Sequence, residues 1–112
     1  MAVYVDEAVW QGRGRRWCHL VADSPEELEE FAARLGLRRV WLQTKPGRPW
    51  KDHYDLPGWA RAEAVRLGAH ELTMREMGAH LARRRAAFRE EVRAEAGTPE
   101  RWPPPPQRST TI

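Results

Sequence analysis

Two histidine–aspartate pairs carry the clearest chemistry in this chain: His19 with Asp23, and His53 with Asp55. Side chains in extended chain alternate between faces, so the members of each pair, four and two residues apart, point the same way. Imidazole with carboxylate suits zinc, manganese or iron, whereas a mostly carboxylate set suits magnesium. A divalent metal (Zn, Mn or Mg) held by His19, Asp23, His53 and Asp55 would lower the pKa of a bound water and create a nucleophile. That chemistry points to a metal-dependent hydrolase acting on a phosphoester or nucleotide. Tyr54 or Asp6 would assist proton transfer, and Arg16 would neutralise phosphate charge. Each residue also has a structural reading. Asp23 and Asp55 precede expected helices, where an acid favours the positive end of the helix dipole. His19 on a strand can be a hydrogen-bonded core residue, and His53 can tie a loop.

Other reactive groups offer less. Cys18 adjoins His19, but neighbours on a strand face opposite sides, so Cys18 is expected to be buried and inert. His70 and His80 have no companions at ligand spacing and are expected on the surface. No HExxH, CxxC, phosphate-binding glycine loop or G-x-S-x-G turn is present.

The second signal is basic and aromatic. Arg13, Arg15, Arg16 and Trp17 form one cluster, and Arg38, Arg39, Trp41, Lys45, Arg48, Trp50 and Lys51 form another. Arginine forks match phosphate oxygens and indole faces stack on bases, so these segments suit a nucleotide or nucleic acid. The alternative function is therefore a non-catalytic nucleic-acid-binding or phage/host interaction module. Seventeen of the nineteen basic residues are arginine, so part of this signal is a bias of the whole chain. Residues 23–30 hold five acids, which makes the surface polarised despite a net charge of only +3.

The elements that must position these groups follow from local pattern. Residues 2–6 (AVYVD), 17–22 (WCHLVA), 39–43 (RVWLQ) and 70–72 read as strands, with QGRGRR (11–16) and the segment around residues 44–52 as loops. Ser24, Pro25 and Glu27 supply N-cap, N1 and N3 of a helix whose apolar stripe is Leu28, Phe31, Ala32 and Leu35, and Gly36 ends it. A second helix is expected from about Pro57 to Leu67, and a third, capped by Thr73 with Glu76, reaches about Ala96. DSPEELEEFAARLG (23–36) and DLPGWARAEAVRLG (55–68) share six identities, which recurring helix caps alone can explain. The expected fold is a single α/β domain over residues 1–96, with about four strands in a mixed sheet and three helices. Residues 97–112, with four consecutive prolines, read as a disordered tail.

In open α/β sheets ligands bind at the carboxyl ends of parallel strands, which would gather Asp23 and the 53–55 segment. The ten residues between Asp6 and Trp17 are short for a parallel crossover. An antiparallel hairpin would instead set Asp6 beside His19 and away from Asp23.

At 112 residues the chain has room for one domain. A single cysteine excludes an internal disulfide and a four-cysteine zinc module, and fits a reducing cytoplasm. MAVYVDE has no basic lead into an apolar stretch, and no apolar run approaches the roughly 18–20 residues of a membrane span, so a soluble cytoplasmic protein is expected.

With YVD (4–6), RWCHLVAD (16–23), EELEEFAARLGL (26–37), WLQ (41–43), HYDL (53–56) and AVRLGA (64–69), the chain resembles a small bacterial and phage family catalogued as domain of unknown function 4031. The resemblance covers about residues 1–80. It implies no activity, but the family's pattern includes Asp6, His19, Asp23, His53, Tyr54 and Asp55. The loop before His53 is longer here than that pattern, and the extended last helix and proline tail lie outside it.

Overall fold

The computed structural model describes residues 2–96. The proposed tail, residues 97–112, lies outside the described residues. The central element is a long strand running through the RRWCHLVA segment. Val3–Val5 (β1) and Trp10–Gly12 (β2) both pair antiparallel with Arg15–Ala22 (β3), along the same edge. Tyr54–Pro57 (β4) pairs antiparallel with the other edge of β3, and His70–Glu71 (β5) lies parallel to β1. The mixed sheet thus has five strands rather than about four, and its single parallel pair is β1–β5 among the described residues. The carboxyl-end rule for parallel sheets therefore has little purchase here.

The β1–β2–β3 ladder shifts register part-way. Val5 faces Leu20 and Trp10 faces Trp17, so residues 6–9 lie opposite Cys18 and His19, two more on one side than the other. Such a bulge re-aims side chains and frequently flanks functional sites. The tight turn between β2 and β3 is carried by Arg13 and Gly14, both with positive φ.

Pro25–Leu35 (α1) and Gly58–Arg66 (α2) pack on the sheet. Ser24 Oγ accepts from the Glu27 N–H at 3.2 Å, and Gly36 at φ +82° turns the chain off α1. Leu28, Phe31 and Ala32 of α1 and Ala60 and Ala64 of α2 join Val5, Cys18, Leu20, Ala22, Tyr54 and Leu56 in one core. Alternation along β3 explains the choice: Cys18, Leu20 and Ala22 point into that core, while Trp17, His19 and Val21 face away. Full burial of each large aliphatic side chain is worth about 1.5–3 kcal/mol.

Met74–Ala96 (α3) begins with a full capping box, in which Thr73 and Glu76 exchange hydrogen bonds of 2.8 and 3.1 Å. It reaches the sheet where the His80 ring meets that of Tyr4 at 4.8 Å and Arg84 donates to the Ala22 carbonyl at 2.7 Å. Farther along, Phe88 meets Trp50 at 5.3 Å. Tyr4 pairs with Val21, on the face that also carries His19, so α3 sits at one end of that face.

Two expectations need correction. Residues 39–43 are not a strand: Arg39–Trp41 is a turn of 3-10 helix with Val40 75% exposed, and only Gln43 bridges, to His53. The RVWLQ run has strand-forming residues but no half-buried surface to lie on, and β propensity acts through such surfaces. The place beside β3 goes to residues 54–57, expected as loop and helix start, because Tyr54 and Leu56 supply the buried half of an alternating pattern. The two RLG segments end α1 and α2 alike, with Gly36 and Gly68 both at positive φ. Their starts differ, since α2 has no side-chain cap and Asp55 lies within β4.

Candidate metal centre

His19 and Asp55 are direct cross-strand partners on β3 and β4, and His53 precedes Asp55 by two residues. Both relations put side chains on one face. The result is a group whose ligand atoms all lie within 4.8 Å of one another. The two imidazoles meet edge to face, with ring centroids 4.8 Å apart and planes at 88°.

The tautomers follow from partners that can only accept. Asp6 is fully buried. In the bulge its Oδ1 accepts the His19 backbone N–H at 2.6 Å and its Oδ2 lies 2.8 Å from His19 Nδ1. A carboxylate is an acceptor, so Nδ1 carries the hydrogen, and in the neutral ring Nε2 then presents a lone pair. His53 Nδ1 lies 2.8 Å from the Lys51 carbonyl oxygen, which likewise only accepts. In the neutral ring its Nε2 likewise presents a lone pair, 3.3 Å from Asp55 Oδ1. Two acceptors at that distance call for a cation between them, a proton or a metal ion. The carboxylate–histidine pair of Asp6 and His19 matches the outer support that metal-bound imidazoles commonly receive. Two imidazoles and one carboxylate, half-exposed, could hold a zinc-class ion and leave coordination positions open.

Asp23 is not part of this group, contrary to the four-residue set. It shares a face with His19 but lies four residues farther along, roughly 13 Å at the strand rise. Its Oδ2 accepts the Ala2 N–H at 2.8 Å, and the Tyr4 hydroxyl donates to it at 3.0–3.1 Å. Asp6 stands behind His19 instead, as the antiparallel reading allowed. Tyr54 is buried in the core, on the face opposite its neighbours His53 and Asp55. Arg16 is exposed and alternates to the side of Cys18, so it is not brought to the group. Cys18 is fully buried, and burial first, then the Asp6 charge, pushes its thiol up to about 12.

The group opens into a cleft of about 850 Å³ lined by Trp10, Trp17, Trp41, Trp59, Arg13 and Gln43 among others. Trp10, Trp41 and Trp59 are 46%, 49% and 72% exposed. Of the basic residues singled out in the sequence, Arg13 lines this cleft and Arg38 lies 5.9 Å over the Trp41 ring. Arg15, Lys45 and Arg48 are exposed elsewhere, and Arg39 pairs with Glu29. Trp50 is a packing residue between Phe88 and Arg85, and Lys51 contributes its carbonyl to His53. Trp10 and Trp59 were missed as site residues. Their signal was a tryptophan at a strand edge and another in a first helical turn, each without a place in an apolar stripe.

His80 also departs from expectation, being 2% exposed rather than on the surface. Met77, His80 and Arg84 at i, i+3 and i+7 mark the face of α3 that meets the sheet, a face on which a histidine and an arginine stand where an apolar stripe would be expected. Its Nδ1 lies 3.9 Å from Asp23, and its buried Nε2 has no hydrogen-bond partner among the described residues.

Residues 3–84 match the family described as Protein of unknown function (DUF4031), and the chain belongs to that family. The matched stretch holds His19, His53 and Asp55 and the aromatic residues around them. No curated protein and no solved structure shows significant similarity to the chain.

Proposed function

We propose that His19, His53 and Asp55 bind a divalent zinc or manganese ion, and that the protein hydrolyses a phosphoester of a nucleotide or nucleic acid there. The observation that carries this reading is the gathering of ligand atoms of His19, His53 and Asp55 within 4.8 Å of one another, with Nδ1 of each imidazole held by an acceptor behind the ring. Two nitrogen ligands make magnesium the weaker candidate, since it prefers oxygen. An ion held there would lower the pKa of a bound water and so supply the nucleophile for attack on phosphorus. In such a hydrolysis the ester P–O bond would break and the departing oxygen would take up the proton that the water gives up. Asp6 keeps His19 in the ligating tautomer.

The test is metal-dependent stability followed by turnover. Zinc or manganese at about 100 times its Kd should stabilise the fold by ~2.7 kcal/mol. That corresponds to roughly 10–20 °C in Tm for a domain of this size. His53→Ala and Asp55→Ala should each remove that gain with little change in the metal-free protein, and should abolish hydrolysis of bis(p-nitrophenyl) phosphate. A parent protein whose Tm responds to neither metal sinks the reading and leaves the non-catalytic binding module.

A further inference from the structure

We infer that the cleft takes single-stranded nucleic acid, with unpaired bases stacked on its indoles beside the metal group. This deepens the hydrolase reading and rests on it for the fate of the bound strand. Trp10 comes from β2, Trp41 from the turn after α1 and Trp59 from the first turn of α2, and all three line one cleft while staying largely exposed. The core is complete without them. Exposed aromatic surface gathered in one concavity marks a binding site rather than packing.

The chemistry of the lining selects the occupant. Arg13 contributes a guanidinium, Arg38 backs Trp41, and Asp55 is the only acid lining the cleft among the described residues. With a divalent ion at His19, His53 and Asp55 the cleft is net positive, which suits phosphodiester oxygens and not an uncharged apolar peptide. Flat indole faces stack any base, and the Gln11 and Gln43 side-chain amides offer donors and acceptors to base edges. A duplex hides its base faces, so the strand must be unpaired. Indoles on three separate elements give successive bases separate platforms, which a mononucleotide cannot use together.

The test measures anisotropy of labelled short single strands, DNA and RNA, against a matched abasic strand and a duplex, with and without manganese. Either single strand should bind at least ~10-fold tighter than the abasic strand or the duplex. Trp59→Ala and Trp41→Ala, at exposed positions, should each weaken single-strand binding by about tenfold. Both should leave calorimetric metal affinity and circular dichroism unchanged. Equal affinity for the abasic strand, preference for the duplex, or variants within twofold of the parent would overturn the inference. Base-dependent binding by a parent that ignores metal supports this inference and removes the hydrolase reading alone; metal binding without base preference does the reverse.

Discussion

Asp6 shows how much one side chain can decide. It leaves β1 at the bulge, satisfies the His19 backbone N–H that the displaced ladder cannot, and fixes the His19 ring with its second oxygen. Asp6→Asn can present its amide nitrogen to the ring and so favour the wrong tautomer. Metal affinity should fall by about 10–100-fold, the usual cost of losing such a partner. Calorimetry on the folded variant checks this, and unchanged affinity would remove Asp6 from the centre. Cys18, one residue from His19, should behave oppositely. With its thiol pushed up to about 12 by burial and the Asp6 charge, it holds roughly a thousandfold less thiolate than a free cysteine. Iodoacetamide at pH 8 should label it only after denaturation, and rapid labelling of the native protein would contradict its buried state. At this scale alternation made His19, His53, Asp55 and Cys18 legible in the sequence. It misplaced Asp23, because sharing a face does not fix the distance along a strand.

At the scale of elements, what was readable is what local chemistry determines. Ser24, Pro25, Glu27 and Gly36 bound α1 as their types require, and Thr73 with Glu76 opens α3. The strands were less readable, because residues 39–43 and 54–57 compete for one place beside β3 and burial decides between them. The bulge was beyond reach, although the short span from Asp6 to Trp17 favoured the hairpin that contains it. The caps make an independent prediction. Ser24→Ala should cost about 1 kcal/mol of unfolding free energy, within a usual span of roughly 0.5–2. Urea denaturation should register that loss while metal affinity stays at the parent value, because α1 supplies no ligand. A coupled loss of metal binding would mean that the α1 face of the core also sets the β3–β4 geometry.

Across the whole molecule, the sheet carries one helix layer at its core face, with α3 meeting the other face at Tyr4 and reaching on to Trp50, and the candidate metal group on that same face at His19. That division was not legible from the sequence, because His80 and Arg84 read as surface residues until α3 is laid beside β1 and β3. It also places a titrating group under the helix. The His80 ring is buried against Tyr4, whose other ring neighbour is His70, and it faces Asp23 from the sheet and Arg83 and Arg84 from its own helix. Burial lowers its pKa most, and the Asp23 charge opposes that; Arg84 and Arg83 lower it further, and the Ala22 carbonyl raises it. The net direction is downward, so the unfolded chain takes up a proton at a higher pH than the native protein does. The sign follows from linkage: stability is fullest above the unfolded histidine value near 6.5 and declines as pH falls below it, until the native ring also protonates. Urea midpoints should therefore drop between pH 7 and pH 5 in metal-free protein. His80→Gln, which keeps a polar side chain but cannot take up this proton, should flatten part of that decline. His19 and His53, the proposed ligands, remain in both proteins, so the difference between the two curves isolates His80. Parallel curves would show that protonation of His80 does not distinguish folded from unfolded chain, and that α3 is held to the sheet by its remaining contacts alone.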